Sequence, residues 1–199
     1  MTPEEWVGLA IVCALGAMSP GPSLAFVLRN TINGGRRRGL TTAVGHGIGI
    51  GVYAFAFVAV LSGILVSFPS VEKGLRWMGV ILLLLFGGLM LISKQNGEED
   101  SQDSLGENAF LAGFSIAFFN PKIAAWMVAV YSQFVQANAT LATKFGMGVL
   151  AFGIDAGWYA IVAVFFGGSI AKHLQSKSEM IDRLVGALLI GFGLYLAFW

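Results

Sequence analysis

The sequence predicts an all-α integral membrane protein of six transmembrane helices, set as two inverted repeats of three, with the first and fourth helices broken. Three observations carry that prediction. Of the 199 residues, 56% are hydrophobic and 12% charged, and the mean hydropathy is +0.77; a soluble domain carries roughly twice that share of charge. Six apolar runs, over residues 5–28, 40–66, 75–93, 109–134, 142–170 and 181–199, each reach the roughly 20 residues that a helix needs to cross a bilayer. Prolines interrupt the first run at Ser19-Pro20 and the fourth at Asn120-Pro121. The period-2 alternation of an outer-membrane barrel is missing.

The first run opens on Thr2, Pro3 and Glu5, the pattern of a capping box with proline at the first helical position. It lacks the basic n-region of a cleaved signal peptide and is expected to be retained. Inside it stands Met18-Ser19-Pro20-Gly21-Pro22-Ser23. Proline has no backbone N–H and clashes with the preceding turn, so Pro20 and Pro22 should end one helical piece and start another. Ser19 is expected to cap the second piece, with Pro20 at its first position. Broken backbone at membrane depth is tolerated only where it is buried in protein or faces a watery cavity.

The second run alternates Gly45, Gly47, Gly49 and Gly51, two overlapping Gly-x-x-x-Gly frames, and Gly153 and Gly157 form another in the fifth. Such frames let helix backbones touch, and they also permit a homodimer. Between the third and fourth runs lies the one long polar linker, whose Gly, Ser, Gln and acidic composition reads as solvated. It divides a single domain, residues 1–199, into repeat one (1–93), the loop (94–108) and repeat two (109–199). Each half opens with a broken span. The segment Gly49 to Ala54 matches Asp155 to Ala160 at Gly, Tyr and Ala. Three spans per half place the second half upside down, the inverted repeat of secondary transporters.

Basic residues orient the chain. Arg29, Arg36, Arg37, Arg38, Lys94, Lys172, Lys177 and Arg183 fall on one side, against Lys73, Arg76 and Lys144 on the other. The positive-inside rule puts the first group in the cytoplasm and both termini outside. The basic turn from Gly34 to Gly39 suits topology and contact with anionic lipid. Trp6, Trp77 and Trp199 read as interface anchors, whereas Tyr131, Trp158 and Tyr159 lie deeper and either line a path or pack.

Asp155 stands about a dozen residues into the fifth run, roughly 18 Å along the helix at 1.5 Å per residue, near mid-membrane. A carboxylate there costs about 2.5 to 3.5 kcal/mol on the mildest scales, which marks it as a functional group or as a structural acid held in a hydrogen-bond network. Lys122 is the other deep charge; it either pairs with Asp155 or snorkels toward the interface. His46 either relays protons or bonds a neighbouring helix. If the two broken spans run in opposite directions, the helical pieces after Ser19-Pro20 and Asn120-Pro121 point their amino ends at each other. Free N–H groups and the helix dipole there favour a carboxylate. A substrate with both carboxylate and ammonium would then use the helix ends for one and Asp155 for the other.

Other chemistry is excluded by what the chain lacks. Cys13 is the only cysteine, so a disulfide within the chain, a dithiol relay and a multi-thiolate zinc site are ruled out. His-Glu-x-x-His, P-loop and Gly-x-Ser-x-Gly patterns and clustered metal ligands do not occur. No enzyme activity and no cofactor are expected, and a net charge of +1 does not point to nucleic acid. Active transport would draw on an ion gradient or on the substrate's own. An ion or metal permease of the same architecture and a non-transporting membrane scaffold are the alternatives.

Ser19-Pro20-Gly21-Pro22, the turn from Asn33 to Gly39, the glycine-rich second run and Phe119-Asn120-Pro121-Lys122 together resemble the lysine exporter and threonine/homoserine efflux (LysE/RhtB) family over nearly the whole chain. The resemblance implies a six-helix carrier of the bacterial inner membrane that exports amino acids or similar metabolites against proton entry. It makes Ser19, Pro20, Gly21, Pro22, Ser23, Asn120, Pro121, Lys122 and Asp155 candidates for substrate binding, and Asp155 and His46 candidates for proton coupling. Two departures bear on the substrate. Family members often carry an acid in the second span, where this chain has Gly49, Ile50 and Gly51, and Asn where Ser23 stands. With Asp155 as the remaining acid, a neutral amino acid is expected over a basic one.

Overall fold

A computed structural model describes residues 1–19, 21–68, 70–92, 108–165 and 178–198. Pro20, nearly all of the polar loop, Lys172, Lys177 and Trp199 therefore lie outside the described residues, as does the end of the fifth run; of Pro121 the backbone alone is described. Among the described residues the secondary structure is entirely helical. It comprises α1 (Pro3–Met18), α2 (Pro22–Ser67), α3 (Val71–Ile92), α4 (Ala109–Phe118), α5 (Pro121–Tyr131), α6 (Leu141–Phe165) and α7 (Ser178–Phe198). Three of them, α2, α3 and α6, are long and apolar enough to cross a bilayer alone, and α4 with α5, bent by 57°, make a fourth such unit.

Helix α1 starts on the expected capping box. The Thr2 hydroxyl accepts from the Glu5 N–H at 3.3 Å, and the Glu5 carboxylate accepts from the Thr2 N–H at 2.7 Å. Its other end corrects the sequence reading. Ser19 does not cap the following helix; it closes α1, its N–H donating to the Leu15 and Gly16 carbonyls. The next helix begins after Gly21 with Pro22 as its first residue. The physical reason is that Pro22 suits the first helical position, where its missing N–H costs no bond, which moves the start past Ser19. The second break follows expectation. Asn120 is extended and its side-chain oxygen accepts from the Lys122 N–H at 2.9 Å, with Pro121 at the first helical position.

Helix α2 is 46 residues long but not straight. Gly35 adopts φ 72° and ψ 176°, a region that residues with a Cβ essentially do not enter. Arg38 Nε donates to Asn30 Oδ1 at 2.9 Å across that point. Eight residues along a straight helix span about 12 Å, so the contact requires the chain to fold back there. The result is two arms, residues 22–34 and 36–67. The basic stretch is narrower as a turn than expected, since the helix already resumes at Arg36.

The second arm is the centre of the bundle, packed against α4 on one side and α6 on the other, while α3 pairs with α7. Glycine sets these distances. A Cβ on Gly45 would strike the Phe110 carbonyl and one on Gly113 the Thr42 carbonyl, so the backbones of α2 and α4 touch. A Cβ on Gly47 would lie 2.6 Å from that of Ala156, and one on Gly51 3.1 Å from the Gly148 carbonyl, which seats α6. Both frames of the second run are therefore spent inside the subunit. Gly153 and Gly157 meet nothing within 4 Å. Most of the core, including Leu9, Ile50, Val58, Leu83, Ala117, Met127, Tyr131, Met147 and Leu189, is one cluster linking all seven described helices. A smaller one joins Leu24, Val27 and Leu28 of the first arm to Ala43, Tyr159 and Val162. Outward faces stay apolar, with Val60, Ile81, Phe145 and Phe165 each more than half exposed, as a lipid-facing surface requires.

Candidate functional site

The two breaks meet. The ammonium of Lys122, the second residue of α5, donates to Ser19 Oγ at 3.0 Å, and a Cβ on Gly21 would lie 3.2 Å from the same nitrogen. Beside this contact is a cavity of about 70 Å³. At the roughly 10–15 Å³ that one water needs, it has room for several waters or a compact metabolite.

Helical periodicity brings its walls together. On α6, Ala151, Asp155 and Tyr159 recur every four residues and so share one face. His46 and Ile50 do the same on the second arm of α2, as do Lys122 and Trp126 on α5. The end of α1 supplies Cys13, Gly16, Ala17 and Ser19, and the break supplies Gly21, Pro22 and Ser23. The lining combines polar residues, among them Ser19, Ser23, Asn120 and Lys122, with apolar ones, among them Ile50, Ile123, Met127 and Ala151. Every site residue expected from sequence whose side chain is described reaches this one cavity, from four helices, α1, α2, α5 and α6. Pro20 lies outside the described residues.

The pairing within the site differs from the sequence expectation. The direct partner of the Asp155 carboxylate is His46, with Nδ1 and Oδ2 2.7 Å apart. Both residues are buried, His46 to 1% and Asp155 to 6% exposure. Lys122 and Asp155 line the same space, but the sequence offered no means to choose the histidine over the lysine. The charge-assisted bond compensates a carboxylate taken out of water. The imidazole is held edge-on against Tyr159, centroids 4.8 Å apart and planes at 72°. Its other nitrogen, Nε2, is buried with no hydrogen-bond partner among the described residues.

Two helix ends differ in a way that matters for an anion. The amino end of α5 is capped by Asn120, whereas that of α2, at Gly21, carries no side-chain cap. The N–H groups of the first turn of a helix have no partner within it, so the α2 end offers donors and a positive dipole beside the Lys122 ammonium. Sequence reasoning missed Cys13, Trp126 and Met127, whereas Tyr131, expected either to line a path or to pack, lines the cavity. The Cys13 thiol lies 3.6 Å from the Tyr131 hydroxyl, a contact between α1 and α5 that nothing local announces. Ala151 and Tyr159 had a signal, the four-residue spacing from Asp155. Trp158 instead packs on the smaller core cluster. Among the described residues no three His, Cys, Asp or Glu side chains are grouped to hold a metal ion.

The chain matches the model of the LysE type translocator over residues 14–198. A threonine efflux protein of Salmonella typhi is 29% identical over 203 aligned residues, covering 94% of this chain and 95% of that protein. A leucine efflux protein of Klebsiella pneumoniae is 25% identical over 185, covering 89% and 87%. A threonine efflux protein of Escherichia coli is 28% identical over 195, covering 94% and 95%. No solved structure matches the chain.

Proposed function

Because the chain belongs to the LysE type translocator family, and is therefore a multi-pass membrane transporter rather than an enzyme, we propose that it exports neutral amino acids across the bacterial inner membrane by proton-coupled alternating access. The observation that carries the reading is the meeting of the two helix breaks at one cavity, with Lys122 Nζ 3.0 Å from Ser19 Oγ and the uncapped end of α2 alongside. There the substrate carboxylate binds, held by the α2 N–H groups and the Lys122 ammonium. The ammonium turns toward Asp155, and an aliphatic side chain lies against Ile50, Met127 and Ala151.

The leucine and threonine efflux relatives support a neutral amino acid as cargo. Among the described residues that line the cavity Asp155 is the one acid, which argues the same way, since a cationic side chain would need a counter-charge. The rest of the reading is two inverted three-helix repeats, both termini outside, and the basic turn at Gly35 on anionic lipid. Counterflow of labelled amino acids in proteoliposomes, run with and without a pH gradient, is the test. Uptake of labelled leucine or threonine into vesicles preloaded with the same amino acid, accelerated by a pH gradient, is the expected result. Absence of counterflow for every amino acid would refute export.

A further inference from the structure

Beside the substrate site lies the buried Nε2 of His46. With Nδ1–H donating to Asp155, a neutral imidazole presents at Nε2 an unshared electron pair and nothing that must be donated. Nε2 has no partner among the described residues, although His46 lines the cavity. The His46–Asp155 pair then carries one net negative charge in a buried setting, where an uncompensated charge is costly. It can be neutralised in two ways. A proton on Nε2 makes an imidazolium–carboxylate pair, or a substrate ammonium binds the carboxylate directly.

We propose that these two cations are mutually exclusive and that His46 carries the exchanged proton, so that amino-acid binding at Asp155 expels it. This rests on the export reading and deepens it. An imidazolium 2.7 Å from the carboxylate and an ammonium on the same group would place two positive charges at a single buried acid, and their repulsion in low dielectric exceeds what one carboxylate compensates. Other groups around the imidazole do not replace it. From α6 it faces Asp155 and Tyr159, and across the cavity stand Cys13 of α1 and Tyr131 and Lys122 of α5. Helix α4, packed against the same arm, carries no titratable side chain. On its own helix, Arg38 is turned to Asn30. Lys122 is exposed and serves the substrate carboxylate, leaving the imidazole as the base nearest the acid. Proton and bond balance are simple: Nε2–H breaks as the ammonium reaches Asp155, the proton leaves through the cavity, and no electrons change hands. With a zwitterionic cargo, one proton enters per amino acid exported, so each cycle moves one positive charge inward.

The experiment uses the full chain in detergent with leucine as the probe. Calorimetry in two buffers of different ionisation enthalpy counts protons released per leucine bound, and the leucine Kd is followed against pH. Release approaching one proton per leucine at acidic pH is expected, falling to none at alkaline pH. By linkage, Kd then weakens about tenfold per pH unit on the acid limb. Wild-type binding with no release and a flat Kd at all pH values overturns the proposal. His46→Asn keeps an amide donor near the position of Nδ1 but no base at Nε2; it should release no proton per leucine bound, and His46→Gln serves if that variant does not fold. Undiminished release from either variant overturns the proposal as well. Counterflow on the same preparation separates the two readings: leucine counterflow without proton release sinks the exchange alone, whereas no counterflow for any amino acid sinks export and the exchange built on it.

Discussion

Replacing Asp155 with asparagine separates the charge of that side chain from its shape. The buried His46–Asp155 contact at 2.7 Å is a hydrogen bond to a charged group, worth about 1.5–3 kcal/mol, and the amide oxygen of asparagine can keep it as a neutral one, worth about 0.5–1.5. The cost to folding is thus about 1 kcal/mol, or ~2–4 °C in thermal midpoint for a chain of this size. Transport should suffer far more. Removing one member of a desolvated charge pair costs about 2–5 kcal/mol, so the apparent affinity for leucine or threonine should weaken at least about 30-fold. Asp155→Ala should be the less stable protein of the two, because the buried His46 Nδ1 then loses its acceptor, adding about 1–3 kcal/mol. The assay is counterflow in proteoliposomes beside thermal unfolding in detergent. An asparagine variant that folds and transports like wild type would refute the assignment of the ammonium to Asp155. Equal destabilisation by asparagine and alanine would refute the description of the contact as a hydrogen bond that an amide can keep.

Other expectations follow from the same geometry. Lys122→Met preserves length and removes the ammonium beside Ser19; counterflow should fall at least tenfold, while Lys122→Arg retains part of it, and full activity in the methionine variant would exclude the lysine from carboxylate binding. Gly35→Ala forces a Cβ into φ 72°, ψ 176°, at a cost of about 1–3 kcal/mol, visible as a lower thermal midpoint. Gly113→Ala, whose Cβ would meet the Thr42 carbonyl, should lose about 1–3 kcal/mol by overpacking. Gly153→Ala, with open space around it, should be neutral or gain up to about 1 kcal/mol from helix propensity, and the same thermal assay compares the two. Asn120→Ala removes the cap of α5 and should cost about 1 kcal/mol, with a further loss of counterflow because that helix end lines the cavity.

The sequence by itself determined what depends on local chemistry and on the solvent. Long apolar runs must be helical in a bilayer because every backbone N–H and C=O needs a partner there. Prolines at Pro22 and Pro121 had to interrupt helices, Thr2 and Glu5 had to cap one, and Asp155 stood out as an acid too costly to be incidental. Only the tertiary structure decided what depends on approach between distant segments. Ser19 became the end of α1 rather than the start of α2, since Pro22 was the better first residue of the helix. Gly45, Gly47, Gly49 and Gly51 turned inward to α4 and α6, while Gly153 and Gly157 did not, although the spacing of each frame is the same. His46, 109 residues away in the chain, took the place beside Asp155 that spacing alone could assign equally to Lys122. A side chain's partner inside a helix bundle is set by which faces pack and by how closely the backbones approach, and neither quantity is written in any one stretch of residues.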